Sequence, residues 1–143
     1  MFLKTHSSQD RLNVWREVRQ KDFSSVQDLV SEFSDIKLLS RYLDYYTPKN
    51  WPTPFEIVSE GYLCYSGVTL ILTATLINKG FITCDELLFP VISNNITGES
   101  GIVLLNEDKV YNFTPGDIVS WDFVKENSTI FQTHKIDIKK LSY

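Results

Sequence analysis

The sequence predicts an α+β fold, with a helical N-terminal half and a buried central helix packed on a C-terminal antiparallel β-sheet. Three observations point to it. Apolar residues recur at helical spacing before about residue 80. The run over 64–79 is apolar on nearly every side, as in a helix enclosed by its neighbours. After Cys84, short apolar runs are separated by turn residues, and strands gathered into one half of a chain argue for α+β rather than alternating α/β. With 143 residues, 43% of them hydrophobic, the chain suits one domain over 1–143, a helical layer about 8–80 and a sheet about 84–140.

The first helix is expected after Ser7 or Ser8, either of which can cap free N–H groups, with Asp10 favourable at the positive end of the dipole. Leu12, Trp15 and Val18, with Val14 beside them, form its apolar stripe. A second helical region is expected over about 25–43, carried by Val26, Leu29, Val30 and Phe33, with Ser34-Asp35 as a break. The segment Thr47-Pro48-Lys49-Asn50-Trp51-Pro52-Thr53-Pro54 forbids a continuous helix. Pro52 or Pro54 then starts a short one that stops at Gly61. The Val, Ile and Thr content of 64–79 favours a strand by propensity, whereas its length and its Asn78-Lys79-Gly80 ending favour a helix. The helix is the better reading.

Five strand segments follow: 87–92, with Pro90 marking an edge or a bulge, 102–105, 110–113, 118–121 and 130–138. Asn106-Glu107-Asp108-Lys109 reads as a hairpin turn. Over the last strand, Ile130, Gln132, His134, Ile136 and Ile138 share one face.

The N-terminal residues lack the apolar stretch of a signal peptide, and no run reaches the roughly 20 residues of a membrane span. The chain is therefore expected to be soluble and intracellular, its glycosylation-like triplets unused and its two cysteines reduced. A net charge of −4 gives little counterion release, which disfavours nucleic acid. One local exception is the basic stretch at the front of the chain, where Arg11, Arg16 and Arg19 offer a surface for an acidic partner or a phosphate backbone.

Cys64 carries the most chemistry. At the start of the central helix its sulfur lies near unpaired N–H groups and the positive end of a dipole, a setting that suits a reactive sulfur. The alternative is a small buried apolar residue. A cysteine nucleophile also needs a base, and the sequence holds two histidines. His6 lies in the N-terminal arm. His134 shares a strand face with isoleucines, so it is either a core histidine or the base of a Cys64–His134 dyad. Two separated cysteines and two distant histidines lack the spacing of a structural zinc site. No phosphate-binding glycine pattern or nucleophile elbow is present, so neither a cofactor nor a metal is expected. Trp51, Pro52, Pro54 and Phe55 read as a wedge against the central helix. An exposed aromatic patch of Tyr45, Tyr46 and Trp51 for a partner is the competing reading.

The order Asp10-Arg11-Leu12-Asn13-Val14-Trp15-Arg16-Glu17, Trp51-Pro52-Thr53-Pro54-Phe55-Glu56-Ile57, and Cys64 leading an apolar helix resembles a family of small proteins carried by T-even-like tailed phages. That resemblance implies expression in a bacterial host cytoplasm, with virion association open, and supplies no reaction. A helix headed by cysteine and followed by antiparallel strands also resembles the papain-like and transglutaminase-like arrangement. In the transglutaminase-like pattern a histidine follows on one strand and an aspartate on the next. Here the first strand, Ser100-Gly101-Ile102-Val103-Leu104-Leu105, holds no histidine, and Asn112 stands where the acid is expected. The papain-like resemblance implies Asn112 as an orienting group if the site is active. Together these features imply a degenerate cysteine-hydrolase scaffold that binds a host or phage protein. An active hydrolase or acyl transferase using Cys64 is the alternative, and a nucleic-acid factor using the basic first helix a weaker one.

Overall fold

The computed structural model describes residues 7–141, so His6 lies outside the described residues. The first helix, α1 (Ser8–Gln20), opens on a capping box. The Ser7 side chain accepts the Asp10 N–H while the Asp10 carboxylate accepts the Ser7 N–H. Trp15 and Val18 are its buried residues. Helix α2 (Val26–Ser31) is far shorter than the expected 25–43. After Ser31 the N–H groups of Glu32, Phe33 and Ser34 turn to carbonyls three residues back, which tightens and ends the helix. Residues 36–46 do not resume it. Leu39 N–H donates instead to Leu63 O at 2.8 Å, holding this segment across the chain just before Cys64.

Pro48–Asn50 forms a 3₁₀ turn, and α3 (Pro54–Glu60) starts as proline permits. Thr53 and Glu56 form its capping box, and Gly61, at φ 78°, closes it in a left-handed conformation. Helix α4 (Tyr65–Asn78) is the expected central helix, with Tyr65 through Leu76 all buried. Its threonines do not drive it into a strand because their hydroxyls find partners. Thr73 Oγ1 donates to Thr69 O and Thr75 Oγ1 to Ile71 O, each at 2.7 Å. Trp15 Nε1 donates to Thr75 Oγ1 at 3.0 Å, which locks α1 onto α4.

The strands are β1 (Glu86–Asn94), β2 (Ser100–Ile102), β3 (Leu104–Asn106), β4 (Lys109–Tyr111), β5 (Ile118–Ser120) and β6 (Ser128–Asp137). All pairings are antiparallel. β1 is central, not an edge. It pairs with β2 and β3 on one side and with β6 on the other, while β4 and β5 continue from β3. Nor is Pro90 itself bulged: it pairs with Thr133, and the register with β6 shifts one step further on, between Val91 and Ile92, where Phe131 is the extra residue. The expected strand over 102–105 is broken at Val103, whose N–H donates to Pro90 O. Glu107 (φ 51°) and Asp108 (φ 63°) make the two-residue turn of the β3–β4 hairpin, both left-handed as such turns require.

The strand expected over 118–121 stops one residue early. Ser120 caps a helix the sequence reading missed, α5 (Trp121–Asn127), by accepting the Phe123 N–H. One face of the sheet, with Leu87, Phe89, Val91 and Ile136, joins the core around α4. The other face carries a second core of Tyr65, Ile92, Val103, Val110, Phe113 and Val124. Among the described residues no helix is long and apolar enough to cross a membrane.

Two glycines allow α4 to sit this deep. A Cβ on Gly67 would lie 1.7 Å from Tyr62 O, and one on Gly101 would lie 2.3 Å from Ser66 Oγ. The Gly67 clash is with backbone, which cannot swing aside as a side chain can. Gly67→Ala is therefore expected to cost about 3 kcal/mol or more by overpacking. Chemical denaturation measures it, with an unchanged slope showing that the same fold is being unfolded.

Candidate functional site

Cys64 is the N-cap of α4. Its Sγ accepts the Gly67 N–H at 3.4 Å while its carbonyl accepts the Val68 N–H. The sulfur thus fills the capping role that serine or aspartate usually takes. Cys64 is 4% exposed, and both it and Cys84 are free thiols. An opening of about 150 Å³ beside it is lined by residues including Leu38, Leu39, Tyr42 and Glu99. The chain segment held by the Leu39–Leu63 hydrogen bond therefore forms one wall over the sulfur. A helix expected over 25–43 concealed that wall from the sequence reading.

The head of α4 is tied to two strands. Ile102 N–H donates to Ser66 Oγ at 3.1 Å, and Thr69 Oγ1 donates to Ile102 O at 2.8 Å. Asn112 leaves β4 at φ 67°, a left-handed conformation that asparagine tolerates better than most residues. Its Nδ2 donates to Tyr65 O at 3.1 Å and to Thr69 Oγ1 at 2.9 Å. Because Tyr65 O can only accept, this fixes which way the amide points. Tyr65 Oη donates to Phe113 O at 2.9 Å, and Asn94 Nδ2 donates to the same carbonyl at 2.7 Å. Burial pushes the Tyr65 phenol well above its ordinary range, so it remains a neutral donor.

His134 is bound elsewhere. It lies on β6 opposite Phe89, its Nε2 is 2.9 Å from Tyr45 O, and its ring stands edge-on to Trp51. Since Tyr45 O is an acceptor, Nε2 carries the proton. No hydrogen bond joins His134 to Cys64. Burial raises the Tyr45 phenol first, and Tyr46, Asp44 and Cys64 add to the shift. The structure therefore gathers Cys64 and Asn112 at one helix head and leaves His134 on a separate bond.

The expected partner-binding residues are also placed. Arg11 donates from Nε to Val58 O at 2.7 Å and from a terminal nitrogen to Ser59 O at 2.8 Å. It thereby holds the carbonyl end of α3, the negative end of that helix. Arg19 lies over the Trp15 ring, 4.1 Å from its centre, while Arg16 is exposed and reaches Asn13. Trp51 is buried, but its ring meets Phe89 and His134 on the sheet where the wedge was expected against the central helix, and Phe55 is exposed. Tyr45 is half-buried and Tyr46 exposed. Among the described residues no group of three or more His, Cys, Asp or Glu could hold a metal ion.

This arrangement is similar to solved structures of Legionella pneumophila LapG. The EGTA-treated form matches with a TM-score of 0.64 at 14% identity, covering 94% of this chain and 84% of that one. The calcium-bound form matches with a TM-score of 0.64 at 13% identity, covering 97% and 84%. A further LapG structure gives 0.65 at 14% identity, covering 92% and 80%. At such identities the likeness shows a shared transglutaminase-like fold. No protein-family model and no curated protein matches the chain.

Two outcomes are expected at this site. Cys84 is half-buried and Cys64 buried, so iodoacetamide followed by peptide mass spectrometry should label Cys84 first and Cys64 at least several-fold more slowly. Asn112→Asp replaces the donor to Tyr65 O with a group that donates only when protonated. Burial beside a carbonyl raises that carboxyl above its unfolded value, so the loss of stability grows as pH rises through the unfolded value. The variant should cost about 2 kcal/mol near pH 7 and clearly less near pH 4, read by denaturation at each pH.

Proposed function

We propose that the chain is a catalytically degenerate, transglutaminase-like scaffold that works by binding another protein. The observation that carries this reading is the state of the Cys64 sulfur. It accepts a backbone N–H from its own helix, and among the described residues no imidazole hydrogen-bonds to it. Three further features support it. His134 is committed to Tyr45 O. The strand β2 has Ser100-Gly101-Ile102 where a histidine would be needed, and a Cβ at Gly101 would lie 2.3 Å from Ser66 Oγ, so a side chain there would displace Ser66. Asn112 holds the helix head through its Nδ2 instead of orienting a base. The resemblance to phage proteins sets the proposal in an infected bacterial cytoplasm, with a host or phage protein as partner.

The competing reading is an active cysteine hydrolase or acyl transferase. The position of Cys64 at a helix N-terminus and at an opening favours it.

One pair of measurements decides. Wild type and Cys64→Ala are compared for turnover of activated esters and peptide pools, and each is used as bait for partner capture from infected cells. Equal background turnover and retention of the same stoichiometric partner are expected. Wild-type turnover more than about tenfold above Cys64→Ala would establish the hydrolase, given that losing a nucleophile typically removes far more than that.

A further inference from the structure

A second cavity of about 150 Å³ adjoins the Cys64 opening and shares Leu38, Tyr65 and Glu99 with it. Phe33, Ile36, Leu38 and Val68 give it apolar walls. That volume is the size at which an apolar protein cavity accepts one small organic group. Its polar lining is one-sided. Asn112 is 3% exposed, and both of its printed hydrogen bonds run from Nδ2. Its Oδ1 accepts from no group among the described residues. Trp51 Nε1 is the fully enclosed orphan among those residues, so Asn112 Oδ1 keeps an open approach, and this cavity is the space that Asn112 lines. At the rim, the half-buried Glu99 carboxylate makes no ion pair among the described residues. The hydroxyl oxygen of Thr97 already accepts the Glu99 N–H.

We propose that this cavity binds an alkylammonium group. An apolar stem, of about the four carbons of a lysine side chain, lies along Phe33, Ile36, Leu38 and Val68. The ammonium brings only donors, and Asn112 Oδ1 and the Glu99 carboxylate are only acceptors. A carboxylate ligand would meet Glu99 with like charge, and a neutral alkyl group would leave Asn112 Oδ1 without a donor. The chemistry has two sources, a lysine on a protein partner or a free alkylamine. The lysine source rests on the protein-binding reading above, whereas binding of the group itself does not.

Titration of the full chain, followed by NMR at the Asn112 side-chain amide and the Leu38 and Val68 methyls, tests this. The probes are n-butylammonium, n-butanol and butyrate, with blocked Ala-Lys-Ala and Ala-norleucine-Ala peptides. Butylammonium should shift these signals and bind at least fivefold more tightly than butanol, with butyrate weakest. Glu99→Gln, a change at the rim that spares the core, should bring butylammonium and butanol within about twofold while butanol binding persists. A lysine peptide binding more tightly than both its norleucine counterpart and butylammonium assigns the partner source, and the reverse order assigns the free amine. Equal binding of butanol and butylammonium, shifts away from the cavity, or no shift at all overturns the proposal. Such a failure leaves the Cys64→Ala comparison untouched, so the two readings fail separately.

Discussion

The complete enclosure of α4 is the constraint on which the rest of the structure depends. A helix buried from Tyr65 to Leu76 has no wet face, so every polar group on it must find a protein partner. Ser66, Thr69, Thr73 and Thr75 each do so, within the helix, with Trp15, or with β2 and Asn112. Enclosure also sets the distances of approach. The loop before α4 and the strand β2 both come closer than a side chain at Gly67 or Gly101 would allow. The layers are thus set by the helix and not by the sheet, whose strands beyond β1 and β6 are only three residues long.

Much of this was legible in the sequence because the signals were local. Ser7 or Ser8 with Asp10, Pro54 at a first turn and Gly61 at a last turn all act within a few residues. The central helix was legible from length and an all-round apolar pattern. What was not legible depended on partners far along the chain. The stripe over 25–43 continued past Phe33, yet Leu39 N–H bonds to Leu63 O across the fold, a competition no local pattern records. The helix α5 carried a usable signal in Ser120 and Asp122, which the β-branched residues just before it masked. The bulge at Phe131 turns Ile130 onto the second core and β6 ends before Ile138, so of the expected strand face only the part joining Ile136 to His134 was legible. The bond from His134 to Tyr45 O was not, because Tyr45 lies in an irregular segment 89 residues away.

The candidate site was legible in one residue, Cys64, and in the absence of histidine from the following strand. The structure adds what each remaining group does instead. Asn112 uses a left-handed backbone and two N–H bonds to seat the helix head, a role that residue type alone does not reveal. Arg11, legible only as positive charge, closes the carbonyl end of α3. A charge count therefore overstated how much of the basic stretch is free to meet a partner.

The polar groups at the head of α4 divide in a way that bears on function. Several donors there are consumed internally: Gly67 N–H by sulfur, Ile102 N–H by Ser66, the Asn112 amide by Tyr65 and Thr69, and the Tyr65 hydroxyl by Phe113. A hydrolytic site needs the opposite, because donors must stay available for the charge that develops in the transition state, and a base must stay in reach of the nucleophile. The cavity beside this helix head adds acceptor capacity, in Asn112 Oδ1 and Glu99, beside apolar walls. On the proposed reading that acceptor capacity holds a group that brings its own donors, as a site that recognises requires and a site that reacts does not.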